Sequence, residues 1–318
     1  MRRVKTVGIY LTGGLGNQLF QLAAALSLAQ GTQIYTFEKP GRPRLNLNGD
    51  PELFNLSIDQ ITSIRRGEKD GLLLRKSLGF NLRSSASPRK NERIFLTRFL
   101  ANLVTTSIQS IYLRKFFYSI LSQEIGYHQM RTRKTIDRLF DPALVGYFQS
   151  YVWPESVRSK LQSLRLVKEG PDLKSLRTEA NVISPVVVHI RRGDYETQAT
   201  FGLLGENYYR KAIEKIDFFY ADNPIWVFSD EVSEAKKILA WLPQERLKYI
   251  SDVDGQSAAS LMAMRLGCAY VIANSTFSWW GAFLSEKEAP LVVAPDPWFT
   301  GQSEPSMMIP THWLRIKH

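Results

Sequence analysis

The sequence predicts an α/β chain of two Rossmann-like domains facing each other across a cleft. Three observations carry that expectation. Near the amino end, Val7-Gly8-Ile9-Tyr10-Leu11, a glycine-rich turn and a run of strong helix formers lead into a second strand-like run, the start of a doubly wound βαβ fold. In the second half, the apolar β-branched Val186-Val187-Val188 opens a series of strands alternating with helices, as in a buried parallel sheet. The length of 318 residues suits two domains, each large enough for its own core.

Residues 7–11 read as the first strand. Residues 17–30 read as a helix dense in leucine, alanine and glutamine, stopped by Gly31. Residues 32–37 return to strand character. Residues 38–90 are rich in loops, with prolines at 40, 43, 51 and 88. Residues 92–122 alternate basic and bulky apolar side chains, among them Arg93, Phe95, Arg98, Phe99, Arg114, Lys115 and Phe116. That pattern fits a membrane interface and equally an amphipathic helix packed on its own domain. Trp153-Pro154 leads into a helix, and the domain boundary is expected near 150–180. The second half then reads strand 185–190, helix 205–221, strand 225–228, helix 232–241, short strand 248–250, helix 256–266, strand 269–273, helix 276–284 and a last strand 291–294 closed by Pro295. This gives a domain over 1–150, with a basic insertion at about 38–145, and a domain over 151–318.

Composition narrows the function classes. The single cysteine, Cys268, excludes an intrachain disulfide. It lies in an apolar stretch and is expected to be buried packing. The four histidines, at 128, 189, 312 and 318, form no cluster with metal-ligand spacing, so no metal site is expected. No apolar run reaches the roughly 18 residues of a membrane span, and the basic amino terminus runs into a structured turn rather than a cleavage site. A cytoplasmic protein is expected, resting peripherally on the inner face of the membrane. The charge is uneven: residues 1–150 carry 22 basic and 10 acidic side chains, residues 151–318 carry 19 and 20. Such an excess suits an anionic surface. No nucleic-acid motif or stacking-aromatic module accompanies it, so a nucleic-acid partner is not expected.

Four motifs carry chemistry. Gly13-Gly14-Leu15-Gly16-Asn17-Gln18 sits between a strand and a helix. Its glycines allow a tight turn and close approach to a ligand, but their spacing is neither the dinucleotide fingerprint nor a phosphate loop ending in Gly-Lys-Ser/Thr. His189-Ile190-Arg191-Arg192-Gly193-Asp194 ends the apolar strand, where open α/β sheets bind ligands. A planar guanidinium there matches phosphate oxygens. Adjacent residues in extended backbone point opposite ways, so one arginine faces the ligand while the other ties down the loop, with Asp194 as a partner. Asp230 ends the next strand, and its carboxylate suits the paired N–H donors of a guanine ring or a helix cap. Asn274-Ser275-Thr276-Phe277-Ser278-Trp279-Trp280 follows a strand and opens a helix. Three hydroxyls and the N–H groups of that helix start form a neutral diphosphate cradle, with the tryptophans packing the helix onto its sheet.

Together these blocks, with Gly14-Leu15-Gly16-Asn17-Gln18-Leu19-Phe20-Gln21 and His189 through Tyr195, resemble the signature blocks of the α-1,2-fucosyltransferases, glycosyltransferase family 11. The matched frame covers about residues 5–30 and 145–300. The histidine-arginine-arginine block is shared with α-1,6- and protein O-fucosyltransferases, whereas the serine-tryptophan-tryptophan and asparagine-glutamine-leucine-phenylalanine blocks narrow the likeness. The resemblance implies a GT-B type fold, GDP-β-L-fucose as donor and no essential metal or cofactor. It implies inverting transfer to the 2-hydroxyl of a galactose-containing glycan acceptor, in surface-glycan or lipopolysaccharide synthesis, with the acceptor lipid-linked in that setting. It assigns Arg191 to the β-phosphate, Asp230 and the backbone near His189 to guanine, and Ser275, Thr276 and Ser278 to the diphosphate. Arg192, Asn274 and Phe277 complete the donor side. Gly14, Gly16, Asn17 and Gln18 face fucose and acceptor. Arg191, Asn17 and Asp194 are the expected catalytic residues, and the general base stays open among Asp194, Glu196 and His189. Another GDP-sugar transferase, or a non-catalytic GDP-sugar or glycan-binding protein, is the competing reading.

Overall fold

The computed structural model describes residues 6–11, 13–29, 33–38, 54–55, 61–64, 120–123, 143–166, 168–193, 195, 201–301, 303–305 and 307–318. Asp194, Glu196 and, short strands apart, the basic insertion with its segment 92–122 lie outside the described residues.

Two parallel sheets organise the chain. The first contains β1 (Thr6–Leu11), β2 (Gln33–Glu38), β4 (Ile61–Ile64), β5 (Ile120–Gln123) and β6 (Ala143–Gly146) in the order β4-β2-β1-β6-β5. The second contains β8 (Val186–Ile190), β9 (Ile225–Ser229), β10 (Leu247–Ile250), β11 (Ala269–Val271), β12 (Leu291–Asp296) and β13 (Leu314–Lys317) in the order β10-β9-β8-β11-β12-β13. A two-residue antiparallel pair, β3 (Phe54–Asn55) with β7 (Arg165–Leu166), stands apart from both. In the second sheet the winding reverses between β8 and β11; in the first, the described strands run outward from β1 to β2 and β4, then enter from the far edge at β5 and end at β6 beside β1. A crevice opens beyond the strand ends at such a reversal, which is where ligands sit.

The helices follow from their sequence patterns. α1 (Leu15–Ala29) is built of good helix formers and is buried on nearly every face, as an all-round apolar helix must be. It packs on β1, on α2 (Val152–Ser156) and on α8 (Thr276–Phe283). α3 (Arg158–Gln162) follows α2. α4 (Pro171–Ile183) starts on proline, whose missing N–H is unneeded there. α5 (Glu206–Tyr220) buries Tyr208, Tyr209, Ala212, Ile213 and Ile216, an amphipathic stripe at helical spacing. α6 (Val232–Ile238) and α7 (Ser257–Met264) complete the second half. One apolar cluster runs from Val7 and Phe20 through Trp279 and Trp280 to Trp313, so the core is continuous between the sheets. A second cluster lies beneath α5 and α6.

Arg265, buried in this core, donates to the carbonyls of Leu284, Leu164 and Gln162 at 2.8, 2.9 and 3.0 Å. Burial pulls its guanidinium down to about 10, still charged at neutral pH. Among the described residues no helix is long and apolar enough to cross a membrane.

Four expectations are corrected. The second sheet has six strands rather than the five read from the sequence, because β13 adds an edge. Pro295 does not close β12: the strand continues to Asp296, with Pro295 opposite Ile316 of β13. The register with β11 ends at Val293, so the strand is one-sided there and tolerates a residue without an N–H. Cys268 is half-buried rather than buried; its thiol donates to Ser184 O at 3.0 Å, and burial raises its pKa, which disfavours the reactive thiolate. The tryptophan pair of α8 does more than pack the helix on its sheet. Both rings meet Phe20 of α1, with centroids 4.5 and 5.0 Å away.

Candidate active site

The carboxyl ends of β8, β9 and β11 bring the predicted residues of the second half together. Arg191, just past β8, is one-third exposed and pairs with Asp230 Oδ2 through Nη1 at 2.9 Å. The other carboxylate oxygen, Oδ1, accepts the Arg192 backbone N–H at 2.9 Å. One aspartate at the end of β9 therefore fixes the whole arginine loop. Gly193 makes this possible: its φ is +30°, and a β-carbon there would stand 2.4 Å from Asp230 Oδ2. The two arginines point apart, as extended backbone requires. Arg192 is turned inward, buried, and donates to Leu204 O at 3.0 Å. Its guanidinium ties the loop to Leu204 O; Asp194, the partner expected from the sequence, lies outside the described residues.

His189 is 5% exposed. Burial, helped by the nearby Arg191 charge, lowers its pKa to about 3. A ring that gives up its proton so readily is a poor base at neutral pH, which removes it from the general-base candidates. Its Nδ1 is buried without a hydrogen-bond partner, while its carbonyl accepts the Tyr209 hydroxyl at 3.1 Å.

At the start of α8 two of the three expected hydroxyls, those of Thr276 and Ser278, donate to neighbouring groups. Ser275 is the N-cap, and its Oγ accepts the Phe277 N–H at 3.3 Å, as small polar residues do at that position. Ser278 is buried and donates to the carbonyls of Ala273 and Ser275. Thr276 Oγ1 donates to Asn17 Oδ1 at 3.1 Å. Thr276 and Ser278 spend their protons on these bonds, whereas Ser275, which only accepts at the cap, keeps its O–H beside the positive end of the helix. Asn274 is likewise internal: buried, it donates to Phe201 O and Gly202 O at 2.6 and 3.1 Å. Phe277 is half-buried, its ring 6.1 Å from that of His189.

The first sheet supplies the opposite wall. Gly14 is exposed, and a β-carbon there would meet nothing within 4 Å. Gly16 is pressed against α8, where a β-carbon would stand 2.6 Å from the Thr276 carbonyl carbon and 2.7 Å from Phe277 N. Its carbonyl accepts the Trp280 indole N–H at 2.8 Å. Gln18 is buried and donates to Gly13 O at 3.0 Å, so it shapes the turn instead of facing a sugar. Asn17 is half-buried between the two walls.

Two participants escaped the sequence reading. Gln149 follows β6 and donates from Nε2 to Asn17 Oδ1 at 2.9 Å. The strand before it is only Ala-Leu-Val-Gly, too short to announce a site. Tyr195 stacks on Phe201 with ring centroids 4.6 Å apart, donates to Asn274 O at 3.1 Å, and lies under the Arg191 guanidinium at 5.5 Å. It belonged to the recognised block, but nothing in the sequence marked the ring as a support for Arg191. Among the described residues no three His, Cys, Asp or Glu side chains gather as metal ligands.

Comparison with known proteins gives this geometry its context. The family described as Glycosyl transferase family 11 matches residues 6–306. The O-antigen biosynthesis glycosyltransferase WbnK of Escherichia coli is 28% identical, over 96% of this chain and 99% of the relative. An alpha-1,2-colitosyltransferase of Escherichia coli is 25% identical, over 96% and 97%. Among solved structures, the fucosyltransferase NodZ from Bradyrhizobium superposes with a TM-score of 0.50 at 15% identity, over 96% of this chain and 97% of that one. That likeness concerns the fold, which is of the GT-B type expected.

Proposed function

Because this chain belongs to glycosyltransferase family 11, we propose that it is an inverting GDP-fucose-dependent transferase. It moves L-fucose from GDP-β-L-fucose to the 2-hydroxyl of a galactose-containing glycan, forming an α-1,2 linkage. The observation that carries this reading is the joining of Arg191, Asp230 and the start of α8 at the switch point of the second sheet. A guanidinium held by a carboxylate beside a helix amino terminus is a pre-set anion site.

In this reading the donor diphosphate lies against Arg191 and the backbone at Ser275-Thr276. Arg191 keeps one N–H on Asp230 and offers others of its five donors to a phosphate oxygen. As the glycosidic bond breaks, negative charge grows on the departing GDP, and a fixed cation there lowers the barrier. Asp230 retains lone pairs for a guanine edge. Asn17, from the first sheet, faces the sugar and the acceptor. Positive charge and helix N–H groups take the place that a metal holds in other transferases, so the reaction is proposed to need none.

The relatives named for O-antigen biosynthesis and for α-1,2 transfer support a surface-glycan acceptor; we propose further that it is lipid-linked and met at the cytoplasmic face of the membrane. The basic half of the chain would dock on anionic lipid there. The colitosyltransferase relative favours one second reading, in which the donor is GDP-colitose.

The test is transfer with EDTA present. GDP-fucose and GDP-colitose are offered separately with a panel of β-galactosides, and product mass and linkage are read. One fucose gained in an α-1,2 linkage supports the proposal. Transfer of colitose alone selects the second reading. GDP binding without transfer from either donor to any galactoside overturns both.

A further inference from the structure

The Asn17 carboxamide is held from both sheets at once. Its Oδ1 accepts from Gln149 Nε2 at 2.9 Å and from Thr276 Oγ1 at 3.1 Å. Asn17 lies beyond β1 and Gln149 beyond β6, neighbouring strands of the first sheet, and Thr276 lies beyond β11, which borders the reversal of winding in the second. The cluster therefore stands where the ends of the two sheets meet.

Its surroundings are built at a cost. Gln149 is 6% exposed, and its Oε1 is buried with no hydrogen-bond partner. Turning that amide over exchanges which atom is unpaired without pairing it. The preceding residue, Phe148, is buried with a φ of +52°, a conformation unfavourable for a side chain of that size. On the other side, Gly13 has φ +79°, and a β-carbon there would stand 2.7 Å from Asn17 Nδ2. Strain and an unpaired polar atom gathered at one point are retained where they fix a functional group. The group fixed here is the Asn17 amide.

Resting on the transfer reaction proposed above, we infer that Gln149 and Thr276 are positioning residues. They clamp Asn17 Oδ1 so that its Nδ2 donors are aimed at the sugar in the cleft. One clamp belongs to each sheet, so the amide is fully oriented only when the two sheets are closed on one another. Orientation of the reactive group then reports closure of the cleft.

The experiment is steady-state kinetics on the full chain for Thr276→Val, Thr276→Ser and Gln149→Met, alone and combined with Asn17→Ala. Thr276→Val and Gln149→Met are each expected to lower kcat on the order of 10-fold, the scale of one lost hydrogen bond in a positioned site. Donor KM stays within about 2-fold, because both changes leave the α8 backbone and Arg191 in place. Thr276→Ser keeps the hydroxyl and most of the turnover. In the Asn17→Ala background neither change has a further effect beyond about 2-fold, since the group they orient is gone. Undiminished effects in that background, a loss expressed in donor KM, or no loss in any variant would each overturn the inference. If Gln149→Met does not fold, the Thr276 pair decides the question. Failure of the wild-type chain to transfer any sugar is a separate outcome, which overturns the proposed reaction and the clamp with it.

Discussion

Gly16 of α1 and Thr276 of α8 meet backbone to backbone, so closely that a β-carbon on residue 16 would stand 2.6 Å from the Thr276 carbonyl carbon. The two helix starts thus bring the walls of the cleft together without an intervening side chain, and Trp280 locks the contact through the Gly16 carbonyl. Backbone on the far side cannot step aside as the tip of a flexible side chain does. Gly16→Ala should therefore wedge the walls apart, costing about 1–3 kcal/mol of stability as overpacking does. Transfer should fall with it, since Asn17 and Thr276 separate. Gly14→Ala, two residues earlier and open to space, should shift stability by less than about 0.5 kcal/mol. Thermal unfolding of both variants checks the pair, and equal shifts would show that the contact is not tight.

The arginine loop yields a graded series. Arg191→Ala should lower turnover by at least about 100-fold, the scale of a lost charge-stabilising donor. Asp230→Ala removes the partner of Arg191 and leaves the Arg192 N–H without its acceptor, costing about 1–3 kcal/mol of stability besides activity. Asp230→Asn keeps an oxygen for that N–H and should be the milder change in urea unfolding. An Asp230→Ala protein as stable as the wild type would mean that the aspartate does not hold the loop.

Arg265 makes a third case, remote from any proposed ligand contact. It serves three carbonyls from inside the core. Arg265→Met retains bulk but takes the donor from Leu284 O, whereas Gln162 O and Leu164 O still accept from Arg165 at 2.7 and 2.8 Å; a buried acceptor left unpaired costs about 1–3 kcal/mol. A fall of about 1–3 kcal/mol in unfolding free energy is expected on that scale. A melting temperature unchanged by the substitution would contradict it.

The second sheet was legible because its central strands are continuous apolar runs, each ending abruptly in polar residues. Strand Val186–Ile190 is buried at every position, and no other placement suits such a run beside two arginines. The first sheet was half legible. β6 is four small or apolar residues with no alternation, so Gln149 could not be tied to a strand end. β13 does alternate, Leu-Arg-Ile-Lys, but four residues at a half-exposed edge make a faint signal. Within the site, residue type at a strand end located Arg191 and Asp230, and the glycine-rich turn located Asn17 at the start of α1. Neither signal distinguished groups facing the cleft from groups spent on local bonds. Arg192 and Asn274 fell to the second kind through Leu204 and Phe201, neighbours distant in sequence, and Ser278 and Gln18 through carbonyls three to five residues away, whose direction only the fold settles.

His189 provides the last prediction, through pH. The folded state holds the ring neutral down to about pH 3, whereas an unfolded histidine takes up a proton near pH 6.5. Between those values the unfolded chain binds one proton more than the folded one, so acid favours unfolding. The stability contributed by the neutral buried ring is therefore complete above about pH 6.5 and drains away as pH falls toward 3. The slope approaches about 1.4 kcal/mol per pH unit once the unfolded ring is fully charged. His189→Gln cannot titrate, so its urea midpoint should fall less than that of the wild type between pH 7 and pH 4.5, even if the variant is less stable at neutral pH. The quantity to read is the difference in slope, which cancels the titration of other groups common to both proteins. Parallel curves would mean that His189 takes up its proton in the folded state as readily as in the unfolded one, and that the ring is not sealed from water at the end of β8.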